Sequence, residues 1–382
     1  MGYNSQIQKS TAGIVRYSCG TLFMLFCFLY IYFLHGEILN EAQFVYSKGI
    51  TVYHPVISAL IISVVLQIIQ WLITRFIHFP SRWYALSYFP SILLFTMLAD
   101  IDGTTIAHFT FGSWVWCAPL LVIIYALIVY YFMSNKNTYN DYELTITESL
   151  YPNHIILLVM ILVAGSVPSS KDVYLFELKT ERLVHERKYD EAVQVGERSL
   201  KANKRLTQLR MFALAKQDEL GERIFDFPQY YGTKGLLDIN DRDSVYRISV
   251  DDICRGIGAM PGASIKTTKR YLDLMTTSDS LRTPMAIDYS LCYLLLDKKL
   301  DEFCSEVFVY YNPDRSRLPK AYQEALIYKA DIDGDSLTFI DKEIADNFRL
   351  YKQIKAENLD STKRSNRSRR AYGNTFWWYY EN

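Results

Sequence analysis

Charge is divided so unevenly along this 382-residue chain that the division sets the architecture before any motif is considered. Residues 1–168 carry six Lys+Arg and seven Asp+Glu out of 41 of each, so most of the charge lies in 169–382. The first part consists of long apolar runs flanked by aromatic residues, the pattern of helices that cross a bilayer with rings at its interfaces. The second part reads as amphipathic helices separated by short polar breaks. The expected fold class is all-α. An N-terminal transmembrane helical bundle (1–168) is followed by a C-terminal soluble helical-repeat, tetratricopeptide-like domain (169–382) with a basic and aromatic tail.

About five spans are expected, near 19–34, 54–73, 83–99, 111–132 and 154–168. Pro90 and Pro119 fall inside two of them and predict kinks. The last run is the weakest, because fifteen apolar residues reach only about 22 Å as a helix. Lys9, Arg16, Arg75, Arg82 and Lys136 fall on one side of this arrangement and only Lys48 on the other. By the positive-inside rule the N-terminus is cytoplasmic. Five crossings of a bacterial inner membrane would then leave the C-terminal domain in the periplasm.

The outer loops hold Glu37, Glu41, Asp100 and Asp102, with His108 nearby. Carboxylates at a membrane boundary can relay protons or act as a base, and otherwise they are solvated loop charges that help to set topology. The Asp-x-Asp spacing with a histidine six residues later is only a weak metal pattern, because nothing directs the histidine. No metal and no other cofactor is expected. His35, His54 and His154 flank spans, as interfacial imidazoles do, and the six cysteines have no CxxC spacing and read as free thiols.

In the C-terminal part, residues 173–187 and 189–202 read as a helical hairpin. Tyr189, Ala192 and Leu200 match the second helix of a tetratricopeptide hairpin, and Phe176 stands where its first helix places an aromatic residue. These four are the expected repeat-packing residues. Further hairpins are expected in 205–225, 287–311 and 318–358, and at least three are needed to bury a continuous core. Asp331, Asp333 and Asp335 suggest a calcium loop, but Ser336 and Lys342 occupy the positions that need Gly and a bidentate Glu, so a solvated turn is expected. The tail joins KRSNRSRR (363–370) to NTFWWYY (374–380). Its aromatics are expected to fold back on the last repeat, or else Arg369, Arg370, Trp377 and Trp378 meet a membrane surface. A periplasmic location excludes nucleic acid as a partner. No Walker loop, GxSxG, HExxH or paired Cys/His cluster is present in the sequence.

EAQFVY (41–46), YALSYFPSILLFTMLADID (84–102), FDFPQYYGTKGLL (225–237), LPKAYQEALI (318–327) and GNTFWWYY (373–380) together resemble an uncharacterised family of Bacteroidota membrane proteins. That family pairs several spans with a tetratricopeptide-like region. The resemblance implies a membrane location and helical repeats, and it implies no reaction. The expected function is a membrane-anchored scaffold or assembly factor, whose partners are the lipid bilayer and a protein or peptide. The alternative is an enzyme or transporter component acting on a lipid-linked sugar through its acidic outer-loop residues.

Overall fold

The structure, a computed structural model, describes residues 2–101, 106, 111–134, 145–166, 172–241, 247–313, 317–357 and 361–382, with backbone alone at 2–11, 132–134 and 361. Every regular element among the described residues is helical. The chain divides into two compact units, Met1–Lys171 and Asp172–Asn382.

In the first unit, α1 (Gly2–Tyr30) passes through a π-helical turn at Ile31–His35 into α2 (Gly36–Ser47). Helix α3 (Pro55–Phe76) follows, with proline in its first turn, where the missing N–H is no loss. A 3₁₀ stretch, Ser81–Tyr88, leads into α4 (Phe89–Ala99), and the unit ends with α5 (Trp114–Ser134) and α6 (Ile146–Ser166). Pro90 stands in the first turn of α4, so it starts that helix rather than kinking it. Pro119 does lie inside α5.

Among the described residues, four helices are long and apolar enough to cross a membrane: Ala12–Ser47, Pro55–Phe76, Trp114–Tyr131 and Ile146–Ser166. The expected span at 83–99 is different in kind. It is split between the 3₁₀ stretch and the eleven residues of α4, with a kink at Trp83. Each part is about 16 Å long from its rise per residue. This segment lies at the centre of the unit, with Ala85, Ser87, Tyr88, Ser91 and Phe95 all buried. Small residues there let neighbouring helices close in, and a segment shielded from lipid needs no long apolar run. The last apolar run belongs to a longer helix. It begins at Ile146 and has 21 residues, about 31 Å of helix, because Ser149 and Asn153 in its first half turn inward and are buried.

The second unit opens with a hairpin of α7 (Asp172–His185) and α8 (Tyr189–Gln194), then a second of α9 (Lys204–Ala215) and α10 (Leu220–Arg223). Short helices α11 (Thr233–Leu236) and α12 (Val250–Ile257) precede α13 (Thr268–Thr277). A third hairpin joins α14 (Pro284–Leu296) to α15 (Leu300–Tyr310). Helices α16 (Lys320–Asp333), α17 (Lys342–Ala356), α18 (Ser361–Tyr372) and α19 (Phe376–Glu381) close the unit.

The three hairpins turn in the same way. Arg187, Asp218 and Lys298 take positive φ values of 61°, 58° and 58°. The following N–H then reaches back to a leucine carbonyl: Lys188 to Leu183 at 2.8 Å, Glu219 to Leu214 at 2.9 Å and Lys299 to Leu294 at 2.9 Å. This is the Schellman closure, which satisfies the last carbonyls of one helix while the chain reverses. The next residue, Tyr189, Leu220 or Leu300, packs into or against one common core running from Leu183 to Phe376.

Helix α8 is shorter than its pattern suggests. Val195 is extended and Gly196 takes a φ of +61°, where a Cβ would lie 2.8 Å from the Phe176 ring. Leu200 therefore falls beyond the helix and is 63 % exposed, so it is not a repeat-packing residue. In the acidic 331–335 stretch, Asp331 and Asp333 belong to the last turn of α16 and are paired. Lys352 binds Asp331 at 2.5 Å and Lys329 binds Asp333 at 3.0 Å, while Gly334 caps α16 in the left-handed region.

Candidate functional site

Of the acidic residues expected in the outer loops of the membrane unit, Glu37, Glu41 and Asp100 sit at one end of its helices. The π-helical turn takes up an extra residue in the helix and directs both Ile31 and His35 inward, His35 being 1 % exposed. Tyr30 stacks on His35 with ring centroids 6.1 Å apart and meets Phe95 of α4 edge-on at 5.0 Å. At the end of α4, the Asp100 carboxylate accepts a hydrogen bond from the Trp114 indole N–H at 2.8 Å. Asp100 is within electrostatic reach of His35 and Tyr30. Glu41 lies on α2 and is only 6 % exposed, and Glu37 one turn earlier is half-buried. Glu37 and Glu41 are thus helix-borne and Asp100 directly follows α4, and all three are at least half-buried, which overturns the reading of them as solvated loop charges. Asp102 and His108 lie outside the described residues.

A second polar layer occupies the opposite end of the same helices. Gln70 of α3 donates to Tyr84 Oη and Ser87 Oγ, both at 2.9 Å, and accepts from Gln67 at 3.0 Å. The guanidinium of Arg16 lies over the Tyr84 ring at 5.6 Å. Asn153 of α6 accepts the Ala85 N–H at 2.7 Å and donates to the carbonyls of Ser81 at 2.7 Å and Ser149 at 2.6 Å. His154 Nδ1 lies 2.8 Å from the Leu150 carbonyl, which can only accept, so Nδ1 carries the proton in the neutral ring. Nε2 is then free to accept from the Ser18 hydroxyl at 2.8 Å. These bonds tie α1, α3, the 3₁₀ stretch and α6 together. They satisfy the polar backbone where the 3₁₀ geometry leaves it open, a structural duty that hydrogen-bonding side chains meet in membrane helices.

In the second unit, Phe176 and Tyr189 pack against the core that contains the fully buried Ala192. Three of the four residues named from the tetratricopeptide pattern therefore share one core. Among the buried polar groups of this unit is Asp288 of α14. Its carboxylate accepts from Tyr311 and Tyr322, both at 2.7 Å, and Cys292 Sγ lies 3.6 Å from the Tyr322 hydroxyl. Burial pushes the Asp288 carboxyl up and the two hydroxyls partly restrain it. The cluster joins α14 to α16 and to the residue after α15.

The last helix acts as a clasp. Glu324 of α16 accepts the Phe376 N–H at 2.7 Å. Phe376 meets Phe225 at 5.8 Å, and Tyr379 meets Phe225 at 5.3 Å and donates to the Leu296 carbonyl at 2.8 Å. Trp377 is fully buried against Phe348 and Tyr351. It cannot be a membrane-surface residue, and Trp378 is half-buried beside it. Arg369 and Arg370 on α18 are exposed.

Between α16 and α17 runs a groove of about 560 Å³. Its floor includes Ile327, Leu337 and Phe348, and Asp335 and Arg349 stand at its edge. Among the described residues, no group of three or more His, Cys, Asp or Glu side chains is arranged to hold a metal ion. His35, expected as an interfacial imidazole, is instead buried by the π turn, and sequence reasoning passed over Asp288, whose partners come from later helices. Neither has a local sequence signal.

A family model described as "Family of unknown function (DUF6057)" matches residues 103–270 and 262–382. The chain belongs to that family. No curated protein matches it, and no solved structure matches it.

Proposed function

We propose that this family member is a multi-pass protein of the inner membrane of Bacteroidota, whose C-terminal unit is a stack of tetratricopeptide-like hairpins serving as a scaffold or assembly factor for a protein partner. The N-terminus is cytoplasmic and the C-terminal unit periplasmic in this reading. One observation carries it: three hairpins closed by the same turn and packed on one core. Repeated hairpins extend a surface one unit at a time, which suits them to a length of polypeptide rather than to a small substrate. The groove between α16 and α17 then takes a partner segment that sets an apolar side chain on Phe348 and Leu337 and pairs charges with Asp335 and Arg349.

The reading is tested by crosslinking the full chain in intact cells with a membrane-impermeant reagent and identifying what is captured. Ala345→Arg, which fills the groove, should remove specific protein partners without lowering protein level. The same partners on the variant, and on a chain truncated after the membrane unit, would sink the scaffold reading.

The enclosure of Glu41 and the Trp114–Asp100 hydrogen bond favour a second reading, a membrane enzyme or transporter component acting on a lipid-linked sugar. Held carboxylates at a membrane boundary are suited to base chemistry. Glu41→Ala and Asp100→Ala should each abolish function at unchanged protein level under this reading, and leave a scaffold nearly unaffected.

A further inference from the structure

Helix α18, STKRSNRSRRAY, carries five basic residues and no acidic one, in a chain whose net charge is zero. Three contacts fix its rotation about its own axis. Arg364 donates to the Lys355 carbonyl at 3.3 Å, Ser368 is buried, and Tyr372 meets Tyr351 edge-on at 5.7 Å. These positions are four residues apart and face the unit. Lys363, Arg367 and Arg370, at the spacing of one helix face, are consequently turned to solvent, and all three are exposed. Arg367 pairs with Glu357. Among the described residues, Lys363, Arg369 and Arg370 have no ion-pair partner. The aromatic residues that follow do not share this face, because Phe376 and Trp377 are committed to the core.

We propose that the outward face of α18, formed by Lys363, Arg367 and Arg370, docks on anionic lipid headgroups. Charge complementarity and connectivity select this partner. The same chain carries helices long and apolar enough to cross a bilayer, so a lipid surface is held at high effective concentration near the second unit. A patch with no apolar wedge binds headgroups through charge alone, each cation contributing about fivefold to the docked population at low salt. Docking of this kind is reversible and is screened by salt.

The test uses the full chain in nanodiscs of phosphatidylcholine alone or of a phosphatidylcholine–phosphatidylglycerol mixture. Acylation of lysines by a soluble active ester is followed by mass spectrometry, with exposed Lys342 as the internal control. Docking predicts that Lys363 reacts about fivefold more slowly than Lys342 in the anionic discs, that high salt removes the difference, and that Arg367→Gln/Arg370→Gln weakens it. Equal protection of Lys363 in both lipid compositions would overturn the proposal. So would protection in neutral discs that appears only on adding single-stranded RNA or an acidic peptide, since the patch would then belong to that partner.

Discussion

The Glu324 carboxylate accepts the backbone N–H of Phe376 at 2.7 Å, joining the middle of α16 to the start of the last helix. Burial pushes this carboxyl up to about 8, with Lys320 acting to lower it. A carboxyl whose folded pKa is raised binds more protons folded than unfolded, so its contribution is full below the unfolded value near 4.5 and is lost as pH rises through about 8. Melts of the purified full chain should show the second unit losing stability across that window. Glu324→Gln keeps an acceptor without the buried charge, so it should flatten the slope and melt higher than the parent at pH above about 8. Glu324→Ala leaves the Phe376 N–H unsatisfied and should cost about 1–3 kcal/mol. A parent protein whose melting temperature does not change over this window would refute the assignment.

The residues behind the family resemblance explain which parts of this arrangement could be read from sequence. Phe225, Glu324 and Phe376 come from three of the quoted stretches, and they meet in one cluster although about 150 residues separate the first from the last. Helical periodicity identified the elements, and the composition change identified a membrane half, because both are local properties. The core position of the 83–99 segment was not legible, since apolar content does not distinguish a helix facing lipid from one facing other helices. The burial of His35 was equally hidden. A π turn has no composition of its own, and without it that imidazole would follow a different face of the helix.

Arg187 holds a left-handed conformation at the first hairpin turn, a state that costs an L-residue about 1–2 kcal/mol. Its side chain is exposed. Arg187→Gly should therefore stabilise the second unit by about 0.5–1 kcal/mol after the extra freedom of glycine in the unfolded chain is counted. Arg187→Val, β-branched at the same φ, should destabilise it by at least about 1 kcal/mol. Lys298→Gly should gain less, because Lys298 also donates to the Tyr380 carbonyl at 2.9 Å. Denaturant midpoints for the three variants check the order, and equal shifts would show that the turn is not left-handed in solution.

Glu181 and Arg205 form an ion pair at 2.8 Å, with side-chain exposures of 0 % and 8 %. The same carboxylate accepts the Ile248 N–H at 3.1 Å, and Arg205 donates to the Ile248 carbonyl. The pair thus pins an otherwise irregular strand of chain to α7 and α9. Arg205→Met would leave a buried carboxylate uncompensated and should cost about 3–5 kcal/mol. The double variant Glu181→Leu/Arg205→Met removes both charges and should recover a large part of that loss. If the double variant is as unstable as the sum of the single ones, the pairing is not what holds α7 to α9.

The side of the membrane on which the second unit lies depends on whether the segment 81–99 crosses. Four long helices alone would return the chain to the side of its N-terminus. The 3₁₀ stretch and α4 together offer about 32 Å of helical rise, enough for a hydrocarbon core of about 30 Å, and the long helices close around them. Five crossings are therefore expected. In a background with Cys117 and Cys304 replaced by serine, Thr51→Cys and Ser280→Cys are both exposed positions, and both should react with an impermeant maleimide on intact cells. Reaction at Thr51→Cys alone, with Ser280→Cys labelled only after lysis, would make 81–99 a buried plug that returns to its own side. The short helix would then be explained by never having to reach the second interface.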